Sequence, residues 1–435
     1  MQRFENRRAL RTLSIWAHPQ QLSVENRNIL YLTVDTALQG LMMGGIFNFL
    51  SVFLVRLGAT KLQTSLLTSL PAIVMVMTSI PAGAFVQKHR DLVKLTNIVR
   101  YFHRGWLLLV ALLPFFVNQG LVDVIIALWT LKALSNVLLE SSWMAVVAEA
   151  IPPARRASVN GARWTILSVV TAIAGAAFGY LLEVLPFPLN YQIVFIISFV
   201  GGSLGMVFWG KMRIPDNLPA VGAERTRIKL KDKIRGYWLS LQVPAFLRYE
   251  LTVNVLRIGL NLPIALYSVY WIRELNAADL WIGWRSTANQ LALIVGYYFW
   301  GRVVTRKGHF MPLLICSAGV ALTPVLTACI PDQLWLPAVA VIDGLFLTGI
   351  NLSVFDTLLD VCPSDRRPSF FAVNTMLASL MIFLGPILGS YLADCVGIRG
   401  VFFIAAGVHV ISALLFWRFR VASDDPACDP DAENG

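Results

Sequence analysis

EAIPPARR at residues 149–156 is followed 211 positions later by DVCPSDRR at residues 360–367, and an acidic residue, a proline and two arginines keep their places. The same offset aligns GYLLE at 179–183 with SYLAD at 390–394, so that about fifty residues match without a gap. Self-similarity at a fixed offset is the mark of an internal repeat. The second half of the chain therefore repeats the first.

The repeat continues upstream at slightly larger offsets. LTVD at 32–35 aligns with LTVN at 251–254, and GAFVQK at 83–88 aligns with GRVVTR at 301–306. The duplication thus includes the beginning of each half.

The composition places this repeat in a membrane. Of the 435 residues, 57% are apolar and only 14% are charged, which leaves too few polar side chains to cover a soluble globule of this size. A helix needs about 20 apolar residues to cross the hydrocarbon core. Such runs predict twelve spans, at 28–55, 64–86, 95–117, 121–148, 162–184, 190–210, 247–272, 280–303, 311–330, 334–358, 369–393 and 399–418.

Lys and Arg alternate between the connections of these spans, which predicts the orientation because such residues stay in cytoplasmic loops. One set of connections is basic and includes Arg100 after the second span, whereas the opposite set is poor in basic residues. The poor set contains Arg56, Lys61, Arg273 and Arg399. Both termini are therefore expected in the cytoplasm, and this bias accounts for most of the net charge of +11.

Twelve spans in two like halves, with a long basic connection between them, resemble the major facilitator superfamily of secondary transporters. The resemblance covers residues 28–420 and implies an all-α membrane protein with two pseudo-symmetric six-helix bundles, 28–212 and 246–420. Residues 1–27 are expected to form a cytoplasmic interfacial segment, 213–245 a basic cytoplasmic linker, and 421–435 a disordered acidic tail.

In the loop after the second span of each half, the family favours Gly, three further residues, Asp and then Arg or Lys. Both loops of this chain keep the Gly and the basic residue. The acidic position holds Gln87 in the first copy and Thr305 in the second, which departs from the family. The resemblance implies that these cytoplasmic loops act in gating. The residues that match or flank the motif are Gly83, Lys88 and Arg90, and Gly301, Arg306 and Gly308.

Polar residues recur at helical spacing in the spans that would line the central cavity of this fold, the first and fourth of each half. A charge in the hydrocarbon region costs about 2.5–3.5 kcal/mol, so it faces a cavity or a partner. The candidates for substrate binding and coupling are Asp35, Gln39, Lys132, Asn136, Glu140, Asn254, Arg257, Asn261, Asp343 and Asn351. The alternative interpretation of each charge is a structural salt bridge, which is favoured for Arg248, Glu250 and Arg285.

Two of these residues occupy matched positions in the repeat. The offset of 211 places Lys132 of the fourth span on Asp343 of the tenth. Opposite charges at one depth predict that the two residues pair in the empty site or hold the two ends of a zwitterionic ligand. The cations Lys132, Arg257 and Arg285 balance Asp35, Glu140 and Asp343, so the interior is expected to be roughly neutral, which disfavours a carrier of polyanions.

These features predict a monomeric secondary active transporter in the cytoplasmic membrane. It moves a small organic solute by alternating access with proton coupling. The sequence has no nucleotide-binding motif and no His/Cys cluster, so we expect neither an enzyme nor a cofactor or metal, and a lipid surface explains its basic segments better than nucleic acid does. A lipid or amphiphile flippase and a sensor that transports nothing remain alternatives.

Overall fold

The computed structural model of the protein describes residues 23–89, 91–117, 119–214, 238–362 and 367–419. Helices, joined by short turns, make up nearly all of this part of the chain, and it contains no strand. Most of the predicted interfacial segment, the centre of the predicted linker, Arg90 and the predicted acidic tail lie outside the described residues.

The described residues of the first half of the chain form seven α-helices. They are α1 (Val24–Met42), α2 (Asn48–Arg56), α3 (Lys61–Gln87), α4 (Leu92–Leu112), α5 (Leu121–Ala150), α6 (Pro153–Val184) and α7 (Leu189–Trp209). A π-helical turn, Met43–Phe47, joins α1 to α2, so that the two form one continuous span. The 3₁₀ turn Leu113–Phe115 follows α4.

The second half continues the series. Its α-helices are α8 (Pro244–Asn261), α9 (Ile264–Arg273), α10 (Asp279–Lys307), α11 (Phe310–Gly319), α12 (Leu322–Cys329), α13 (Leu336–Val361) and α14 (Arg367–Phe419). The 3₁₀ turn Gln333–Trp335 precedes α13.

Capping groups and glycines explain where several helices begin and end. Ser23 and Asp91 accept hydrogen bonds from backbone N–H groups at the starts of α1 and α4, which satisfies donors that have no partner inside the helix. Gly308 ends α10 with a φ of 74°, and Gly397 interrupts α14 with a φ of 75°. Left-handed backbone favours glycine, so the eleventh and twelfth predicted spans separate within α14.

The prediction of an all-α multi-span protein is confirmed. Ten ranges of the described residues are long and apolar enough to cross a membrane, and the longest of them, Ser369–Phe419, contains the last two predicted spans. The eighth predicted span coincides with α10, a helix of 29 residues that the ten ranges do not include. Its middle is too polar for that, because Arg285, Asn289 and Gln290 interrupt the apolar residues.

The chain divides into two compact units. The first unit contains residues 1–49 and 77–224, and the second contains residues 50–76 and 225–435. In the first unit α1 packs against α6 and α7, and α4 packs against α5 and α7. In the second unit the main packing pairs are α10 with α13 and α8 with α14. The division by contacts differs from the division by sequence repeat at residues 50–76, which belong to the second unit.

Close packing in the second unit explains a glycine pair in α14. A Cβ added to Gly385 would lie 2.6 Å from the Cβ of Asn261, and one added to Gly389 would meet the backbone carbonyl of Leu262. Small residues at such positions allow membrane helices to approach each other. The Gly-Pro-x-x-Gly sequence of this helix therefore serves the packing of α14 against the end of α8.

Candidate functional site

A cavity of about 220 Å³ lies in the second unit between α8, α13 and α14. Most of its lining is aliphatic, and its polar or aromatic members are Tyr249, Arg257, Asn351, Phe355 and Asn374. A mostly apolar cavity with a few convergent polar groups is the usual form of a small-molecule site. The predicted site residues Arg257 and Asn351 are both part of it.

Arg257 is the centre of a hydrogen-bond network at one end of this cavity. Its guanidinium donates to Oδ1 of Asn374 at 2.6 Å and to Oδ1 of Asn254 at 3.3 Å, and it lies 3.7 Å from the carboxylate of Glu250. The amide of Asn254 donates to the same carboxylate at 2.8 Å. These contacts use Nη1 and Nη2, and Nε donates to no described residue, so part of the hydrogen-bonding capacity of Arg257 remains available to an acceptor in the cavity.

Asn351 differs from the other polar residues of the cavity because its side chain is exposed and makes no hydrogen bond with any described residue. Asn261, in contrast, donates to the backbone carbonyl of Arg257 at 2.8 Å, one turn earlier in its own helix. Asn351 is therefore placed to contact a ligand, whereas Asn261 is bonded within α8.

Asp343 lies in a second polar group of the same unit. Asn289 donates to its carboxylate at 3.1 Å and to the carbonyl of Ala340 at 3.1 Å. Arg285 stacks over the ring of Trp271 at 4.3 Å, and its charge interacts with that of Asp343. Asp343 thus has a polar and a cationic neighbour within its own unit, and its predicted pairing with Lys132 stays a prediction.

The four basic residues of the predicted non-cytoplasmic loops all have partners in the second unit. Arg56 donates to Asp279 at 2.9 Å and to the carbonyl of Ala277 at 2.9 Å. The remaining contacts are Lys61 with Asp394 at 2.6 Å, Arg273 with the carbonyl of Ala59 at 2.6 Å, and Arg399 with Glu274 at 3.4 Å. These bonds connect the segment 50–76 of the first repeat to helices of the second.

In the first unit, Asp35 forms a buried ion pair with Arg100. The guanidinium donates two hydrogen bonds of 2.8 Å to the two carboxylate oxygens and stacks on the ring of Trp209 at 4.4 Å. Paired N–H groups in this arrangement make the strongest kind of charge-assisted contact. The Asp35 side chain is buried where α1 packs beside α4 and α7, and its part in coupling stays a prediction.

The remaining candidates of the first unit have less specific surroundings. The ammonium of Lys132 is buried against the rings of Trp129 and Phe47, at 3.9 and 4.8 Å. Asn136 donates to Glu140 at 2.7 Å, and Glu140 is exposed. Gln39 is half-buried.

The glycines of the predicted gating loops have open space beside them. A Cβ added to Gly83 or Gly301 would have no neighbour within 4 Å, so crowding does not explain either glycine. Lys88 follows the end of α3, and Arg306 is exposed in the last turn of α10 just before Gly308. Their part in gating stays a prediction.

Three buried arginines of the first unit escaped the sequence analysis. The prediction that Arg100 belongs to a loop is wrong, because it lies inside α4 and is paired with Asp35. Arg104 follows one turn later, and Arg163 of α6 donates to the hydroxyl of Thr36 at 3.1 Å. The expected neutral interior is therefore wrong for the described part of the first unit, where these three cations and Lys132 are buried with one carboxylate.

The sequence did contain signals for these residues. Arg100 and Arg104 lie within the predicted span 95–117 at a spacing of four, which places them on one helical face. Asn374, which receives the shortest hydrogen bond of Arg257, is the residue that the offset of 211 matches to Arg163. In each unit this position bonds with the first helix of the half-repeat.

Apolar spans, a duplicated sequence and charges held between helices define a multi-pass membrane protein of the transporter class, and not an enzyme. The sequence model of the Major Facilitator Superfamily matches residues 32–256 and 251–433. The chain belongs to that family. Membrane transport is accordingly its general function.

Individual relatives match over shorter stretches. The multidrug resistance protein MdtG of Dickeya zeae is 32% identical over 150 residues, which are 33% of this chain and 35% of that protein. MdtG of Proteus mirabilis is 28% identical over 165 residues, or 37% of this chain and 40% of the relative. The chain thus aligns with well under half the length of these relatives.

Solved structures match over most of the chain. The nucleoside transporter NupG superposes with a TM-score of 0.72 at 13% identity, covering 90% of this chain and 99% of that one. A bacterial homologue of the human lysosomal transporter Spinster, in an inward-facing and unoccupied conformation, superposes with a TM-score of 0.65 at 14% identity. It covers 93% of this chain and 99% of its own. At this identity the likeness shows the fold alone.

Proposed function

We propose that the protein moves a small, partly apolar organic solute across the cytoplasmic membrane by alternating access, with both termini in the cytoplasm. The cavity at Arg257 is the observation that carries this proposal. Its aliphatic walls suit an apolar body, and Arg257 and Asn351 supply the few polar contacts that orient a ligand. The relatives named multidrug resistance protein MdtG favour export over uptake.

Proton coupling is assigned to Asp35. Its carboxylate is held by Arg100 through two hydrogen bonds, and a proton on the carboxylate removes the charge that holds the guanidinium. Loading of the proton and opening of the ion pair would therefore be a single event. Because Asp35 lies on α1 and Arg100 on α4, this event would release one helix of the first unit from another.

Transport in reconstituted vesicles tests the proposal. Purified protein is placed in liposomes with an imposed pH gradient, and the movement of a panel of labelled drugs and metabolites is compared with that of a fluorescent phospholipid. Accumulation of a soluble compound that collapses when the gradient is dissipated supports a proton-coupled transporter. Movement of the phospholipid alone would identify a flippase, and ligand binding without movement of either would identify a sensor.

Asn351→Ala and Asp356→Ala form a matched pair of variants for this assay. Both residues lie on α13, but Asn351 lines the cavity and Asp356 does not. If the cavity is the solute site, only Asn351→Ala raises the solute concentration needed for half-maximal transport.

A further inference from the structure

The buried charges of the first unit are strongly unequal. Its described residues include four buried cations, Arg100, Arg104, Lys132 and Arg163, of which none is more than 9% exposed. The one buried carboxylate is Asp35. A buried charge without a counter-charge is among the most unfavourable arrangements in a protein, and more so in a membrane.

Arg100 uses most of the single available negative charge. Both oxygens of Asp35 receive hydrogen bonds from the Arg100 guanidinium, so Asp35 is not directly paired with the other buried cations. The charges of Arg104 and Arg163 interact with Asp35 only at longer range, and they repel Arg100.

Neutral groups surround the other cations. Arg163 donates to Thr36 and to Asn160, at 3.1 and 3.0 Å, and stacks on Trp143 at 4.4 Å. Lys132 contacts two aromatic rings. The carboxylate whose charge acts on Lys132 is that of Glu140, which is exposed and accepts a hydrogen bond from Asn136.

Arg104 is the least satisfied member of the cluster. It is 4% exposed, makes no hydrogen bond or ion pair with a described residue, and its Nη1 atom is completely enclosed. The Cζ atom of Arg104 would be 3.5 Å from a Cβ at Gly202, and the thioether of Met42 occupies the same place. Neither neighbour offers a negative charge, and the flexible thioether can move aside.

Three residues of α7 lie beside Arg104, Asp35 and Arg100. Gly202 lies at Arg104, Gly205 lies at the carboxylate of Asp35, and Trp209 lies under Arg100. The spacing of three and four residues puts these positions on one face of the helix. Glycines there leave room for charged groups beside the helix backbone.

From this imbalance we infer that the first unit binds a small anion at Arg104, between α1, α4 and α7. The anion is a halide or a carboxylate. It would accept hydrogen bonds from the N–H groups of Arg104 and offset the excess positive charge. Such a site goes beyond the proposed transport function, because it concerns a counter-ion in the first unit and not the solute cavity of the second.

Thermal unfolding of the full-length protein in a neutral detergent tests the site. The starting buffer contains only a bulky sulfonate as anion, and sodium chloride or sodium acetate replaces its sodium salt at constant ionic strength. A ligand that binds the folded state raises the unfolding midpoint with the logarithm of its concentration. We expect that rise with at least one of the two salts, and calorimetric titration should give a saturable heat.

The variant Arg104→Met identifies the place of binding. Without a bound anion it should unfold at a higher temperature than the parent, since an unpaired buried charge is gone, and its midpoint should not respond to either salt. Arg155→Met is the matched control, because Arg155 is an exposed arginine of the same unit, and it should respond as the parent does.

The salt arms distinguish the source of the charge. A response to chloride indicates a resident inorganic anion, whereas a response to acetate alone indicates the carboxylate of an organic ligand. No response to either salt in the parent would overturn the site, and so would an equal response in Arg104→Met. If that variant fails to fold, Arg104→Lys takes its place, and it should respond only at a higher salt concentration than the parent, because it keeps the charge but loses the guanidinium N–H groups. Because binding is measured without transport, this outcome is independent of the proposed function.

Discussion

The carboxylate of Asp35 and the guanidinium of Arg100 face each other through two hydrogen bonds of 2.8 Å, with side chains only 1% and 3% exposed. The two residues are 65 positions apart and join α1 to α4. Each residue of such a buried pair depends on the other, because removing one partner leaves the other charge without compensation.

The two single variants of this pair should not be equivalent. Asp35→Asn leaves the four buried cations of the first unit without a buried carboxylate, whereas Arg100→Gln leaves Asp35 beside the charges of Arg104 and Arg163. We expect Asp35→Asn to reduce the free energy of unfolding by about 3–5 kcal/mol and Arg100→Gln to reduce it by less.

Chemical denaturation of both variants measures this difference, with Asp394→Asn as the control. Asp394 forms an exposed pair with Lys61, and exposed pairs contribute about 0–1 kcal/mol. Equal losses in the two variants would show that Arg104 and Arg163 do not act on Asp35.

Asp35→Asn should also separate coupling from solute movement. The amide cannot load a proton, so accumulation driven by a pH gradient should disappear, while exchange of labelled for unlabelled solute continues. Counterflow and gradient-driven transport are measured in the same vesicles after the amount of folded protein has been matched. If the variant still concentrates solute, the proton role belongs to Glu140 or Asp343, or to no residue.

The proposed solute cavity gives a prediction that does not depend on coupling. Asn351→Ala should leave the unfolding midpoint unchanged, because its side chain makes no hydrogen bond with a described residue. Arg257→Leu, in contrast, should lower both stability and solute binding, since Asn374, Asn254 and Glu250 lose a partner. Equilibrium binding of the solute identified by the transport screen, together with thermal unfolding, measures both. A fall in stability without loss of binding in Arg257→Leu would make this arginine structural.

Alternating access predicts that the contact between Arg56 and Asp279 breaks in each transport cycle. The Arg56 guanidinium lies 2.9 Å from the Asp279 carboxylate in the structure, at the predicted outer ends of the spans. Cysteines at both positions, joined by a short bis-maleimide, should reduce turnover at least tenfold and leave solute binding intact.

Exposed cysteines must be removed for this experiment. Cys329 and Cys395 are exposed, whereas Cys316 and Cys362 are buried, so the background carries alanine at Cys329, Cys395 and the C-terminal Cys428. Each single cysteine variant treated with the same reagent is the control. Unchanged turnover in the cross-linked protein would exclude a cycle that separates these two positions.

The sequence predicted the fold well because the fold depends on local and periodic information. Apolar run length, the offset of 211 and the charges of the loops suffice for helices, repeat and family. Even the break at Gly397 coincides with the predicted gap between the last two spans. None of these features requires knowledge of which helices touch.

The site was less accessible to sequence analysis because its partners are distant in the chain. Arg100 looks like a loop cation near a predicted span boundary until Asp35, 65 residues earlier, is placed beside it. Asn374 carries no charge and gains its importance only from Arg257, 117 residues before it. A count of charges on the four predicted cavity helices does not include the arginines of α4 and α6. These arginines are buried because α1 packs against them.

The last prediction concerns Lys132 and Asp343, the residues matched by the repeat. Each is held in its own unit, Lys132 by the rings of Trp129 and Phe47 and Asp343 by the amide of Asn289.

If the two charges compensate each other during the cycle, Lys132→Ala and Asp343→Ala should each lower stability strongly. Loss of one partner of a buried pair costs about 3–5 kcal/mol. The double variant should then be more stable than the sum of the single losses predicts, and it should fail to transport. Unfolding midpoints and uptake are measured for the parent and the three variants. Strictly additive losses would show that the two residues do not sense each other, and uptake by the double variant would leave both with a structural role alone.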